Sequence, residues 1–190
     1  SSVYGNVKTI PFREDARVDR PVSPYAATKA AGELYGHNYF HLYGISMTAL
    51  RFFTAYGPRQ RPDMAIHKFT ALIDQGKPIP FYGDGSTERD YTYYSDIIDG
   101  VVASIDRDLG FEILNLGESR TTKLSELVAI IEDSLGKKAV LEKLPMQPGD
   151  VVMTCADISK AKRLLNYHPS TTVKEGVKNF VEWYRKVVKR

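Results

Sequence analysis

Apolar residues recur at helical spacing behind Ser23 and Pro24. Ala26, Ala27, Ala30 and Ala31 come first, then Leu34, Tyr35, Phe40 and Leu42, before Gly44. This predicts a helix capped by Ser23, with Pro24 in its first turn and Gly44 as its stop. Residues 47–53 are apolar apart from Thr48 and Arg51, a short run that predicts a buried parallel strand. Asp63 is placed to cap a helix reaching about Gln75, and Gly76 to stop it. A strand over 79–82, a turn at Gly83-Asp84-Gly85 and a strand over 91–94 follow. Ser95 or Asp96 starts a helix through Val101, Val102 and Ile105. Residues 111–116 read as a strand ending at Gly117, and 124–135 as a helix closed by Gly136. A short strand over 139–144, a loop over 145–152, a helix capped by Asp157 and reaching Leu165, and a last helix over 173–188 complete the chain. Residues 6–22 and 54–62 read as loops. Strands alternating with helices place the chain in the α/β class.

Composition narrows the function classes. Hydrophobic residues make up 43% and charged residues 26% of 190 residues, an ordinary globular balance. A net charge of +3 is too small to argue for a nucleic-acid partner. The basic end, Lys186 to Arg190, suits a helix C-terminus. One cysteine, Cys155, allows neither an intrachain disulfide nor a thiolate metal site. His37 and His41 are four apart with no third ligand in view, so no metal is expected. With no signal peptide and no run long enough to span a bilayer, the expectation is a cytoplasmic protein without a membrane partner.

Candidate chemistry begins at Tyr25 and Lys29. Four residues apart on a helix, they share one face. An ammonium beside a phenol favours the phenolate, and a phenolate can take a proton from a substrate hydroxyl and return it. A surface tyrosine beside a solvated lysine gives the same spacing, so the pair needs its surroundings to decide.

Those surroundings are Ser1-Ser2-Val3-Tyr4-Gly5, the run from Arg51 through Tyr56 to Arg59, Tyr82-Gly83-Asp84-Gly85, Arg89-Asp90-Tyr91-Thr92-Tyr93 and Pro148-Gly149-Asp150. In this order and spacing they resemble the extended short-chain dehydrogenase/reductase family, and within it the nucleotide-sugar epimerases of the UDP-glucuronate 4-epimerase type. The resemblance covers nearly the whole chain. It implies the C-terminal part of a Rossmann-type doubly wound parallel sheet with a smaller α/β substrate-binding domain. Residues 1–57 and 95–117 would belong to the dinucleotide-binding unit, 58–94 and 118–190 to the substrate unit. The glycine motif that cradles a dinucleotide pyrophosphate does not occur in these residues, so the chain reads as the C-terminal part of a longer protein. Without that motif, these 190 residues alone are expected neither to hold NAD stably nor to turn over.

The resemblance also implies roles. Tyr25 would be the general base toward the sugar 4-hydroxyl, with NAD as the recycled cofactor. Lys29 would support Tyr25 and bind the nicotinamide ribose, and Phe52 would pack near the nicotinamide. The hydroxyl residue that relatives carry four positions before the tyrosine of Val3-Tyr4-Gly5 falls ahead of Ser1. Dehydratases carry an acidic pair where Ser1 and Ser2 stand, and decarboxylases keep a glutamate at the second place. Two serines instead suit hydrogen bonding to a sugar carboxylate, with Thr54 and Arg61 completing that site. Arg89 would contact the diphosphate, Asp150 the uridine ribose, and Tyr82 the uracil pocket. Gln147 stands where many relatives have an arginine. The substrate would be a UDP-sugar, most closely UDP-glucuronate, and the Tyr25 helix would pair in a homodimer. UDP-glucose/galactose epimerisation, UDP-glucuronate decarboxylation and a binding or dimerisation module without turnover are the alternatives. For Arg89 and Asp90, a plain surface ion pair is the competing reading.

Overall fold

The computed structural model describes residues 1–146 and 151–188. After a 3-10 turn at Ser2–Tyr4, α1 runs over Pro24–Tyr43. Ser23 Oγ accepts from the Ala26 N–H at 3.1 Å, and Gly44 closes the helix in the left-handed conformation at φ 65°. Both ends therefore fall where the capping residues place them. Strands β1 (Met47–Phe52) and β2 (Thr54–Tyr56) follow, then α2 (Ala65–Asp74) and β3 (Pro78–Tyr82). Next come β4 (Glu88–Arg89), β5 (Tyr91–Tyr93), α3 (Tyr94–Ile105) and β6 (Phe111–Leu116). The chain ends with β7 (Thr122–Lys123), α4 (Leu124–Leu135), β8 (Val140–Leu144), α5 (Ser159–Leu165) and α6 (Val173–Val187).

Several expectations are corrected. Residues 54–56 are a strand, not a loop, because they pair with β5. Asp63 does not cap α2, whose N-cap is Met64; its carboxylate faces Arg61 instead. Helix α3 starts at Tyr94, ahead of the expected Ser95 or Asp96. Ile158 is the N-cap of α5, while the Asp157 carboxylate accepts from the Ser159 N–H at 2.9 Å.

Strand β1 runs parallel to β6, with Met47 opposite Phe111 and Phe52 opposite Leu116. Parallel pairing also joins β2 to β5 and β3 to β8, while β4 and β7 are antiparallel. Parallel partners far apart in sequence need crossover connections, which the helices supply.

Two apolar clusters result. One gathers Val3, Tyr4, Phe12, Phe53, Ile97, Leu114, Leu116 and, from the C-terminal third, Ala156, Ala161, Leu165 and Tyr167. The other packs α2, α4 and α6 around Tyr56, Ile79 and Phe81. Residues 156–167 thus lie within the stretch expected to form the substrate unit, and their side chains pack with β6. Among the described residues, no helix is long and apolar enough to cross a membrane.

Candidate active site

Because α1 starts at Pro24, Tyr25 stands in its first turn, just after the cap. The Tyr25 side chain is largely exposed, at 61%. The Lys29 ammonium lies 5.2 Å from the centre of the Tyr25 ring, so the four-residue spacing does bring the two together. They open on a cleft of about 350 Å³ lined also by Ser1, Ser2, Glu33 and Phe52. Arg51 of β1, which also lines this cleft, fixes helix α1. Its guanidinium donates to both oxygens of Glu33, each at 2.8 Å, and stands 4.8 Å from the centre of the Tyr4 ring. Burial works against the Arg51 charge, but Glu33 and Tyr4 outweigh it and its pKa is raised. The Tyr4 hydroxyl donates to Asn115 Oδ1 at 2.6 Å, tying the turn after Ser2 to β6.

A second cleft, about 270 Å³, continues from the same two serines. Ser1, Ser2, Val22, Thr54, Arg89 and Thr154 line it. Arg89 Nη1 donates to the carbonyls of Glu88 at 2.9 Å and Val152 at 3.4 Å. Ser1 and Ser2 therefore join the Tyr25 side to the Arg89 side.

Not every expected residue converges. Arg61 lines neither cleft, and its fork meets the Asp63 carboxylate at 3.2 and 3.0 Å on the surface. Tyr82 ends β3 opposite Leu144 and also lines neither cleft. Asp150 and Gln147 lie outside the described residues.

The surface-pair alternative for Arg89 and Asp90 is corrected. Asp90 is wholly buried, at 0% exposure, and its carboxylate accepts four hydrogen bonds. Burial raises its pKa, and the donors Ala156, Glu118, Thr92 and Ser119 oppose the rise. Sequence reasoning missed Arg51 and Glu33 as parts of this site, and Asp90 as a buried carboxylate behind it. The one available signal was Arg51, a charge inside an otherwise apolar strand.

The family profile described as GDP-mannose 4,6 dehydratase matches residues 1–180. The chain belongs to this family. It is an extended short-chain dehydrogenase/reductase. An uncharacterized protein of Methanocaldococcus jannaschii is 52% identical over 184 residues, spanning 97% of this chain and 56% of that protein. A UDP-glucuronate 4-epimerase of Thermodesulfobacterium geofontis is 47% identical over 184 residues, spanning 96% of this chain and 56% of its own length. The crystal structure of UDP-glucuronic acid 4-epimerase from Bacillus cereus, in complex with UDP-glucuronic acid and NAD, superimposes with a TM-score of 0.91 at 37% identity. That match covers 98% of this chain and 60% of the Bacillus chain. The chain thus spans between half and two thirds of the length of these relatives. Its α/β architecture is the Rossmann-type arrangement of family members, as the motifs predicted.

Proposed function

We propose that this chain carries the catalytic tyrosine and the nucleotide-sugar cleft of an NAD-dependent UDP-sugar 4-epimerase, acting on UDP-glucuronate. The observation that carries this reading is the junction of two clefts at Ser1 and Ser2. One holds the Tyr25–Lys29 pair and the other holds Arg89. A sugar at the junction would present a hydroxyl to Tyr25 while its diphosphate extends toward the Arg89 guanidinium.

The residues of the first cleft fit the nicotinamide end of NAD. The Lys29 ammonium suits ribose hydroxyls, Phe52 offers a ring face, and a side chain added at Gly32 would meet only open space. NAD, when bound, supplies the removal and return of the C4 hydrogen as hydride. Tyr25 takes the proton from the 4-hydroxyl and gives it back. Lys29 holds its charge beside the phenol and orients the ribose. Ser1 and Ser2 offer hydroxyls, not carboxylic acids, so they hold a sugar carboxylate without protonating a leaving group. Thr54 lies on the same wall. Arg61 would reach that carboxylate only by giving up Asp63.

The proposed division remains residues 1–57 and 95–117 for the cofactor side, 58–94 and 118–190 for the substrate side. A second copy would pair through α1, a reading supported by its exposed Leu34, Tyr35, Leu42 and Tyr43. UDP-N-acetylglucosamine 4-epimerase from Methanobrevibacter ruminantium M1 superimposes as well, with a TM-score of 0.92 at 31% identity, covering 98% of this chain and 61% of that one. The test must therefore separate sugars. The complete protein is incubated with UDP-glucuronate, UDP-glucose or UDP-N-acetylglucosamine, and products and CO₂ are followed. Conversion of UDP-glucuronate to UDP-galacturonate without CO₂ supports the reading. Conversion of the neutral sugars alone, CO₂ release, or UDP binding with no turnover each overturns it.

A further inference from the structure

The Asp90 carboxylate touches neither cleft, but it ties residue 156, two places beyond the cleft-lining Thr154, to residues 118–119 and to Thr92. Its Oδ1 accepts from the Glu118 N–H at 2.8 Å and the Thr92 hydroxyl at 3.0 Å. Its Oδ2 accepts from the N–H groups of Ser119 and Ala156, each at 3.0 Å. The main chain of the same residue adds two more bonds. Its N–H donates to Thr154 Oγ1 at 3.3 Å, and its carbonyl accepts from the Thr54 N–H at 3.1 Å. Thr54, Thr154 and the neighbouring Arg89 all line the cleft.

We infer that Asp90 is a positioning residue: its carboxylate holds residue 156 against residues 118–119 while its main chain bonds Thr54 and Thr154, and it so sets where the adjacent Arg89 meets a nucleotide diphosphate. This rests on the proposal that the cleft takes a nucleotide sugar. The chemistry requires a carboxylate. Four donors converge on two oxygens, and only an acceptor-only side chain satisfies them all. An amide of the same shape would turn an NH₂ group toward two of the donors, leaving buried groups unsatisfied. The junction is also sterically closed. A Cβ on Gly117 would stand 2.5 Å from the Ala156 Cβ and 3.0 Å from Asp90 Oδ2, so the glycine permits the close approach.

The test compares Asp90→Asn and Gly117→Ala with Asp96→Asn in the complete protein. Asp96 is also buried and accepts from the N–H groups of Ser170 and Thr171, but borders neither cleft. UDP affinity is measured by calorimetry, with thermal midpoints and steady-state kinetics alongside. Asp90→Asn and Gly117→Ala should raise the Kd for UDP and the KM for the UDP-sugar by about tenfold, with kcat changed less than about threefold. Asp96→Asn should lower the midpoint and move neither constant. Wild-type UDP affinity in Asp90→Asn overturns the inference. So does a fall in kcat with KM unmoved, or an equal loss of affinity in Asp96→Asn. Should Asp90→Asn not fold, Gly117→Ala decides by the same criteria. Failure of the wild type to bind UDP appears before any variant is made, and overturns the nucleotide-sugar proposal together with this one.

Discussion

Arg51 and Glu33 join β1 to the tyrosine helix through two N–H···O bonds of equal length, 2.8 Å each. The Arg51 side chain is only 4% exposed, against 12% for Glu33. Breaking a buried pair costs about 3–5 kcal/mol when the remaining charge stays buried. Glu33→Ala leaves the deeper group behind and should cost that much. Arg51→Met leaves Glu33 near the cleft, where it can turn toward water, and should cost less. Denaturant unfolding of both variants checks the order, and turnover should fall in both as α1 loosens.

Tyr25→Phe in the complete protein should lower turnover by at least about 10²–10⁴-fold, the usual contribution of a general acid–base group. UDP affinity should hold, because Tyr25 is largely exposed and lines the Lys29 cleft, away from Arg89. Single-turnover assays and calorimetry together separate the two effects. Retention of more than roughly a tenth of the rate would remove Tyr25 from the proton transfer.

Arg61→Ala bears on which sugar is read. If Arg61 exchanges Asp63 for the uronate, the variant should lose about 2–5 kcal/mol in transition-state terms with UDP-glucuronate and far less with UDP-glucose. Equal losses on both sugars would instead place Arg61 on the diphosphate or in a purely structural role.

Glu118 gives stability a pH dependence. Burial pushes its pKa from 4.5 up to about 7, Arg120 opposes the shift, and the carboxylates of Asp96 and Asp90 add to it. Its Oε2 is buried and finds no hydrogen-bond partner among the described residues. The folded protein therefore holds this proton more tightly than the unfolded chain. The group's contribution is fully present below about pH 4.5, declines as pH rises to about 7, and is lost above that. Glu118→Gln should flatten that part of the curve, so its stability relative to wild type rises between pH 5 and 8. Denaturation midpoints at both pH values check this, and an unchanged slope would contradict it.

Gly176→Ala sets two effects against each other. Alanine in a helix interior gains about 1 kcal/mol over glycine. A Cβ at Gly176, however, would collide with the Tyr56 hydroxyl and stand 2.7 Å from its ring Cζ. Overpacking costs about 1–3 kcal/mol, and Tyr56 is buried with no room to retreat, so the net change should be destabilising. A lower thermal midpoint, partly recovered by adding Tyr56→Phe, is the expected result.

The longer elements were legible because local chemistry decides them. Ser23 and Gly44 bound α1, and short, mostly apolar runs mark β1 and β6. The strands β2, β4 and β7 hold two or three residues each, too few for a period to show. Tyr25 and Lys29 were legible because helix geometry fixes their contact. Asp90 was not, because its donors lie 28 to 66 residues away apart from Thr92, and nothing in the sequence near Arg89 says that its neighbour points inward. Asp63 failed as a cap because Arg61, two residues back, competes for the same carboxylate.

The first apolar cluster also dictates an order of events during synthesis. Phe12 bonds through its backbone to Cys155, and Tyr4 through its hydroxyl to Asn115. Such distant pairings must wait for the later partner, so closure of the chain onto itself is delayed. On the ribosome, Val3, Tyr4 and Phe12 emerge long before Ala161 and Leu165 can cover them. A nascent chain halted at α4 would show this cluster half-built, and chaperone capture should end only once α5 has cleared the exit tunnel.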